Sequence, residues 1–162
     1  MTTPSHPWKQ TLERKAHELE EISATHRLSD AGIVRLEETV VVGCYAIRHL
    51  INGFLLPESK CRYPFEMTAF PRRQHTASQP GDARLSARYD LNAGRIAQHD
   101  PMFLCHQVLQ NCILEPWLSP EHQLIGIYIT SDHQRKVALY GVSLTALSEL
   151  FRTLGAESVR VP

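Results

Sequence analysis

Apolar residues near the amino terminus recur every three or four positions, which is the period of a helix buried along one side. Charged residues fill most of the positions between them. The apolar positions are Trp8, Leu12, Ala16, Leu19 and Ile22. This pattern predicts an amphipathic first helix whose narrow stripe suits packing against one neighbouring helix.

A second helix is predicted directly after the first. Ser29 or Asp30 can cap the exposed amide groups at its beginning, and Asn52-Gly53 is a favourable helix end. Residues 39–47 carry no charge, so we expect this part of the helix to be covered on several sides. The β-branched run Val40–Val42 is also compatible with a buried strand, although we favour the helix.

Alternation of apolar and polar residues replaces the helical period after Pro57. Segments 65–70 and 85–91 both have period two, which predicts two half-buried strands. Between them, residues 71–83 are rich in Pro, Arg, Ser, Gln and Gly and predict a long hairpin loop. Such long loops in small domains are usually functional or disordered.

An uncharged helix is predicted next. Asp100 can cap its first turn, and Pro101 is well tolerated at the first helical position. The predicted helix ends by Glu115-Pro116, and residues 101–114 carry no formal charge, so we expect it to be largely enclosed.

The last part of the chain predicts a hairpin and a helix. Segments 124–130 and 136–142 are predicted strands on either side of the polar turn 131–135. Ser143 then caps a short helix with one apolar face, and Gly155 ends it.

These elements together indicate an α+β fold, in which an antiparallel sheet built from two β-hairpins packs with about four helices, including an N-terminal helical hairpin. The length of 162 residues predicts one domain. Its successive parts are a helical hairpin at 1–56, a basic β-hairpin with a long loop at 57–95, an uncharged central helix at 96–118, and a β-hairpin with a C-terminal helix at 119–162.

Charge is balanced over the whole chain but not along it. The 17 basic and 17 acidic residues give a formal net charge of zero, which argues against a uniformly basic nucleic-acid binder. Residues 60–95, however, contain seven basic and three acidic residues, a net charge of +4, and each flank carries −2. The positive excess therefore lies on one predicted hairpin and its loop.

Four arginines of the basic hairpin are the predicted anion-binding or nucleic-acid-binding residues. They are Arg72, Arg73, Arg84 and Arg88. Guanidinium groups bind phosphate bidentately, and Tyr63, Phe70 or His75 could stack on bases. His75 is also a candidate for proton transfer in a metal-independent nuclease. A solvated strand face would give the same pattern.

The uncharged helix also has a polar side. It consists of His106, Gln107, Gln110 and Asn111. Enclosed polar groups need hydrogen-bond partners, so these residues predict a buried polar network or a subunit interface. The alternative is that His106 acts as a general base, with neighbouring amides orienting a substrate or water.

Motifs for several common chemistries are missing from the sequence. There is no phosphate-binding P-loop, dinucleotide-binding glycine turn, zincin motif or nucleophile elbow. The four cysteines show no paired zinc spacing, so we predict no metal site, no cofactor and reduced thiols, as in a cytoplasmic protein. The longest apolar run has eight residues, so we predict no membrane span.

We therefore expect a small cytoplasmic interaction or assembly module without catalytic activity of its own. Its partner would be another protein or, through the narrow stripe of the first helix and the uncharged helix, a second copy of the chain. The alternative is a nucleic-acid-binding protein or metal-independent nuclease that uses the basic hairpin at residues 60–95.

Overall fold

One five-stranded antiparallel sheet organises the chain. A computed structural model describes residues 6–25, 27–74 and 84–157. The strands are β1 (Phe65–Pro71), β2 (Arg95–His99), β3 (Asn111–Leu118), β4 (Leu124–Ser131) and β5 (Ala138–Ser143). Their order across the sheet is β2-β1-β5-β4-β3, so β1 pairs with β5 and joins the β1–β2 hairpin to the three consecutive strands that follow.

The four longer helices pack on one face of this sheet. Four of those described have nine residues or more, and two have a single turn. They are α1 (Pro7–Ser23), α2 (Asp30–Asn52), α3 (Glu58–Cys61), α4 (Leu85–Arg88), α5 (Pro101–Leu109) and α6 (Leu144–Gly155). The predicted α+β class, the antiparallel sheet and the N-terminal helical pair are confirmed.

The main core lies between the helices and the sheet. The apolar stripe of α1 is buried against α2 and α6, and the uncharged middle of α2 is helical throughout. Inner-facing strand residues such as Met67, Ile127 and Val142 complete this core. No helix in the described ranges combines the length and apolar character that crossing a membrane requires.

A second, smaller apolar cluster lies on the outer face of the sheet. Its buried members are Phe70, Leu85, Tyr89, Ile113 and Leu139. Two of them come from the segment after the long loop, which folds over the sheet and is joined to it by an antiparallel bridge between Arg72 and Tyr89. The outer face therefore has its own covering segment.

The prediction of a strand at residues 85–91 is wrong. Residues Leu85–Arg88 form a one-turn helix, and the strand that pairs with β1 begins only at Arg95. Leu85 and Tyr89 explain the error, because positions four apart satisfy both a helical period and an alternating one. Here both side chains bury in the outer cluster, and the Tyr89 amide donates to the Leu85 carbonyl at 2.8 Å.

The predicted helix at residues 101–114 is too long. It ends at Leu109, and Asn111–Leu118 form the edge strand β3, paired with β4. The physical reason is visible at Ile113 and Leu114, because the first packs in the outer cluster and the second against the main core. Only an extended chain sends adjacent side chains to opposite faces of a sheet.

Candidate anion-binding site

Four cationic residues line one cavity on the outer face of the sheet. The cavity has a volume of about 380 Å³, and its walls include the buried residues Tyr89 and Ile113. The cations are Arg72, Arg88, Arg135 and Lys136. They come from three separate segments: the end of β1, the short helix α4 and the β4–β5 turn.

Arg72 is held in place by contacts on two sides. Its amide donates to the Val137 carbonyl at 3.1 Å, which continues the pairing between β1 and β5. Its guanidinium lies over the Tyr89 ring, with 5.4 Å between the guanidinium carbon and the ring centroid, and donates to the Arg135 carbonyl at 3.3 Å. Cation–π contact of this kind orients the planar group and leaves other donors available.

Tyr89 connects the two sides of the cavity. The side chain is fully buried, and its hydroxyl donates to the Arg135 carbonyl at 2.6 Å. That carbonyl therefore accepts hydrogen bonds from both Tyr89 and Arg72. The contact ties the segment that carries Arg88 to the turn that carries Arg135 and Lys136, so the cations belong to one connected framework.

The β4–β5 turn is itself braced from inside the protein. The buried Gln107 side chain of α5 accepts a hydrogen bond from the Ser131 amide at 3.1 Å. The Arg135 amide donates to the Ser131 carbonyl at 2.8 Å, and the Tyr140 hydroxyl donates to the Gln134 side chain at 3.1 Å. These bonds fix the backbone from which Arg135 and Lys136 project.

Acidic side chains do not neutralise the cavity in the described part of the chain. None of its described lining residues is Asp or Glu. Among the described residues, Arg135 Nε lies 3.8 Å from Asp132 Oδ1, and these side chains are 53% and 79% exposed. Exposed pairs of this kind are weak, so Asp132 offsets little of the charge of Arg135.

Of the four predicted arginines, the structure brings two into the cavity. Arg73 lies outside it, because its Nε donates to the Ser86 carbonyl at 2.9 Å and its Nη2 lies 3.9 Å from Asp90 Oδ1. Arg84 is exposed just before α4 and is not among the described lining residues. His75 lies outside the described residues. Tyr63 is half-buried before the start of β1, and Phe70 is buried.

Sequence reasoning missed Arg135 and Lys136. Arg135 ends the predicted polar turn 131–135, and Lys136 begins the predicted strand 136–142, where solvated charges are ordinary. The available signal was two adjacent cations, but their proximity to Arg72 depends on strand order. Arg72 and Arg135 are 63 positions apart in sequence and meet because β1 pairs with β5.

The predicted polar side of the uncharged helix is divided between different environments. Gln107 is buried at the turn described above, whereas His106 is exposed in the last turn of α5 and Gln110 is exposed at its end. Asn111 begins β3, and its side-chain amide donates to the Val108 carbonyl at 2.6 Å. In the part of the chain that the structure describes, hydrogen bonds therefore do not join these four side chains into one network.

One thiol also belongs to the described lining of the cavity. Cys112 lines the cavity, is exposed, and lies 3.6 Å from the Thr130 carbonyl. Among the described residues, no group of three or more His, Cys, Asp or Glu side chains could hold a metal ion. Comparison of the chain with protein-family models, curated proteins and solved structures finds no match.

Proposed function

We propose that this protein is a small binding module without catalytic activity of its own, and that it binds the phosphate groups of a nucleic-acid strand. The observation that supports this proposal is the convergence of four cations on one cavity whose described lining contains no carboxylate. Three of the four are arginines, whose planar groups can hold two phosphate oxygens at once.

The composition of the cavity favours binding over proton transfer. Its described lining residues include no histidine and no carboxylate, which are the usual general acids and bases. The Tyr89 hydroxyl already donates to a backbone carbonyl. The remaining groups can hold negative charge in place, which is the role of most protein contacts to the phosphate backbone.

A matched pair of double variants tests the proposal. In Arg135→Gln/Lys136→Gln, two cavity cations are lost but the Arg135 carbonyl that anchors Tyr89 remains. In Arg14→Gln/Arg62→Gln, the same net charge is lost elsewhere. Arg14 lies on α1 in the helical layer, and Arg62 precedes β1, so the seven-residue strand separates it from Arg72 by roughly 20 Å.

Binding of a short single-stranded RNA is then measured by fluorescence anisotropy over a range of salt concentrations. We expect the cavity variant to weaken binding and to reduce the slope of log Kd against log salt by about 1.4, for two lost contacts to single-stranded nucleic acid. The control variant should keep both values. Absence of binding at low salt, or equal losses in the two variants, would contradict the proposal.

Self-association is a second proposal, supported by a different surface from those considered in the sequence. The stripe of α1 and the apolar side of α5 are buried within the chain itself. In contrast, Ile96 is 70% exposed on β2, which forms one edge of the sheet. Sheet edges with exposed apolar residues readily pair with another chain.

Sedimentation measurements test this second proposal. We expect a concentration-dependent dimer that Ile96→Lys dissociates and that Val34→Lys, at an exposed position on α2, leaves intact. A protein that stays monomeric at every concentration would contradict the proposal of self-association. For either function we propose a cytoplasmic location, supported by four free cysteines.

A further inference from the structure

We infer that the cavity selects a terminal phosphate monoester, the phosphorylated end of a strand, over the phosphodiesters within it. This inference rests on the proposed function and names the part of the ligand that the cavity takes. Its basis is the concentration of cationic residues at one cavity in the described part of the chain.

The arrangement of the cations is the first argument. Proteins that bind strands along their length use a groove in which positive charges follow the backbone. Here one cavity of about 380 Å³ is lined by Arg72, Arg88 and the adjacent residues Arg135 and Lys136. Arg73, which would extend a row of cations from Arg72, turns instead to the Ser86 carbonyl and Asp90. The described cations therefore cluster at one cavity and do not form a row along the surface.

The absence of a stacking surface among the described lining residues is the second argument. Strand-binding grooves place bases on aromatic rings. Tyr89 is the aromatic residue in the described lining, and it is fully buried beneath the Arg72 guanidinium. Phe70 is buried in the outer cluster as well. The described lining of the cavity thus offers donors for phosphate oxygens but no exposed ring for a base.

Charge is the third argument. A phosphate monoester carries about −1.5 to −2 at neutral pH and has three strong acceptor oxygens. An internal phosphodiester carries one negative charge. In a partly enclosed site the charges are screened less than on an open surface, so the additional charge of the monoester gains more from cations such as Arg72, Arg135 and Lys136 that line it.

Three RNA strands of identical sequence test the inference. They carry a 5′-phosphate, a 5′-methylphosphate or a 5′-hydroxyl, with the fluorophore at the 3′ end. The methylphosphate keeps the phosphorus atom but is a diester. We expect the 5′-phosphate strand to bind at least about tenfold more tightly than the other two, as one additional charge-assisted contact would give. A corresponding set modified at the 3′ end examines the other terminus.

The outcomes separate this inference from the proposed function. If neither end gives a preference but Arg135→Gln/Lys136→Gln still weakens binding of all strands, the inference is overturned and phosphate-backbone binding stands. If no strand binds, both fail. If the preference for a phosphorylated end is present and disappears in the cavity variant but not in Arg14→Gln/Arg62→Gln, the inference is supported.

A competition experiment distinguishes a strand end from a free mononucleotide. A nucleoside 5′-monophosphate is added to the complex of the protein with the 5′-phosphate strand. We expect displacement only at concentrations well above the Kd of the strand, because the rest of the strand contributes further phosphate contacts. Displacement at concentrations near that Kd would identify the free monoester as the ligand and overturn the assignment to a strand end.

Discussion

His99 lies in surroundings that disfavour the protonated, positively charged form of its imidazole ring. Its ring stacks on Phe103, with centroids 4.0 Å apart, and meets the edge of Tyr140 at 5.9 Å. Burial lowers the pKa of His99 below its ordinary value of 6.5, and the neighbouring Asp100 only partly opposes this shift. Its Nε2 is buried and has no hydrogen-bond partner among the described residues.

Acidification should therefore destabilise the fold through His99. Because its folded pKa is lowered, the unfolded chain binds the proton first, so the contribution of neutral His99 is fully present above about pH 6.5 and declines below it. We expect the free energy of unfolding in urea to fall between pH 7.5 and 5.5. The fall should be smaller in His99→Phe; an identical pH dependence in this variant and the parent chain would disprove the assignment.

At the scale of elements, Gly43 of α2 leaves space for the ring of Phe151 from α6. A Cβ atom at this position would lie 2.3 Å from two ring carbons of Phe151, a side chain that is fully buried. The contact needs glycine for space, since it lies in the middle of a regular helix. Glycine is a poor helix former, and the space that the Phe151 ring occupies explains its presence here.

Gly43→Ala should therefore destabilise the protein, although alanine normally favours a helix. We expect a loss of about 1 to 3 kcal/mol in the free energy of unfolding, as for other overpacked cores. Gly32→Ala is the matched control, because its added Cβ would meet the flexible end of Leu28 at 3.0 Å in the first turn of the same helix. Equal stability of the two variants would show that α6 can move aside.

At the scale of the whole molecule, Tyr89 links the outer cluster to the cationic cavity. Its ring is buried with Leu85 and Leu139, and its hydroxyl reaches the Arg135 carbonyl. The segment from Leu85 to Tyr89 has little regular structure of its own, so its position depends on these contacts. Stability of this segment and geometry of the cavity are thereby coupled.

Tyr89→Phe should loosen this segment more than the rest of the protein. Loss of the buried hydrogen bond costs about 1 kcal/mol. We expect faster amide hydrogen exchange in residues 84–91 and weaker RNA binding, with little change in the main core. Tyr63→Phe, at a half-buried site before β1, should leave both unchanged. Unaltered exchange in residues 84–91 of Tyr89→Phe would contradict the coupling.

The sequence separation of the interacting residues explains which parts of the fold could be predicted. Residues 7–52 were predictable because caps and the 3.6-residue period act within a few positions. Residues 85–91 and 110–114 were not, since their apolar spacing satisfied both helix and strand. Packing against separate clusters on the two faces of the sheet selected between these conformations.

The amino-acid sequence alone determined the α+β class, the β-hairpin at residues 124–142 and the concentration of positive charge at residues 60–95, because each depends on local pattern or composition. Only the tertiary structure decided that Arg72 and Arg88 join Arg135 and Lys136, whereas Arg73 turns away. The physical reason is the pairing of β1 with β5, which brings residues 63 positions apart into contact. Strand order is a property of the whole fold and cannot be obtained from any local segment.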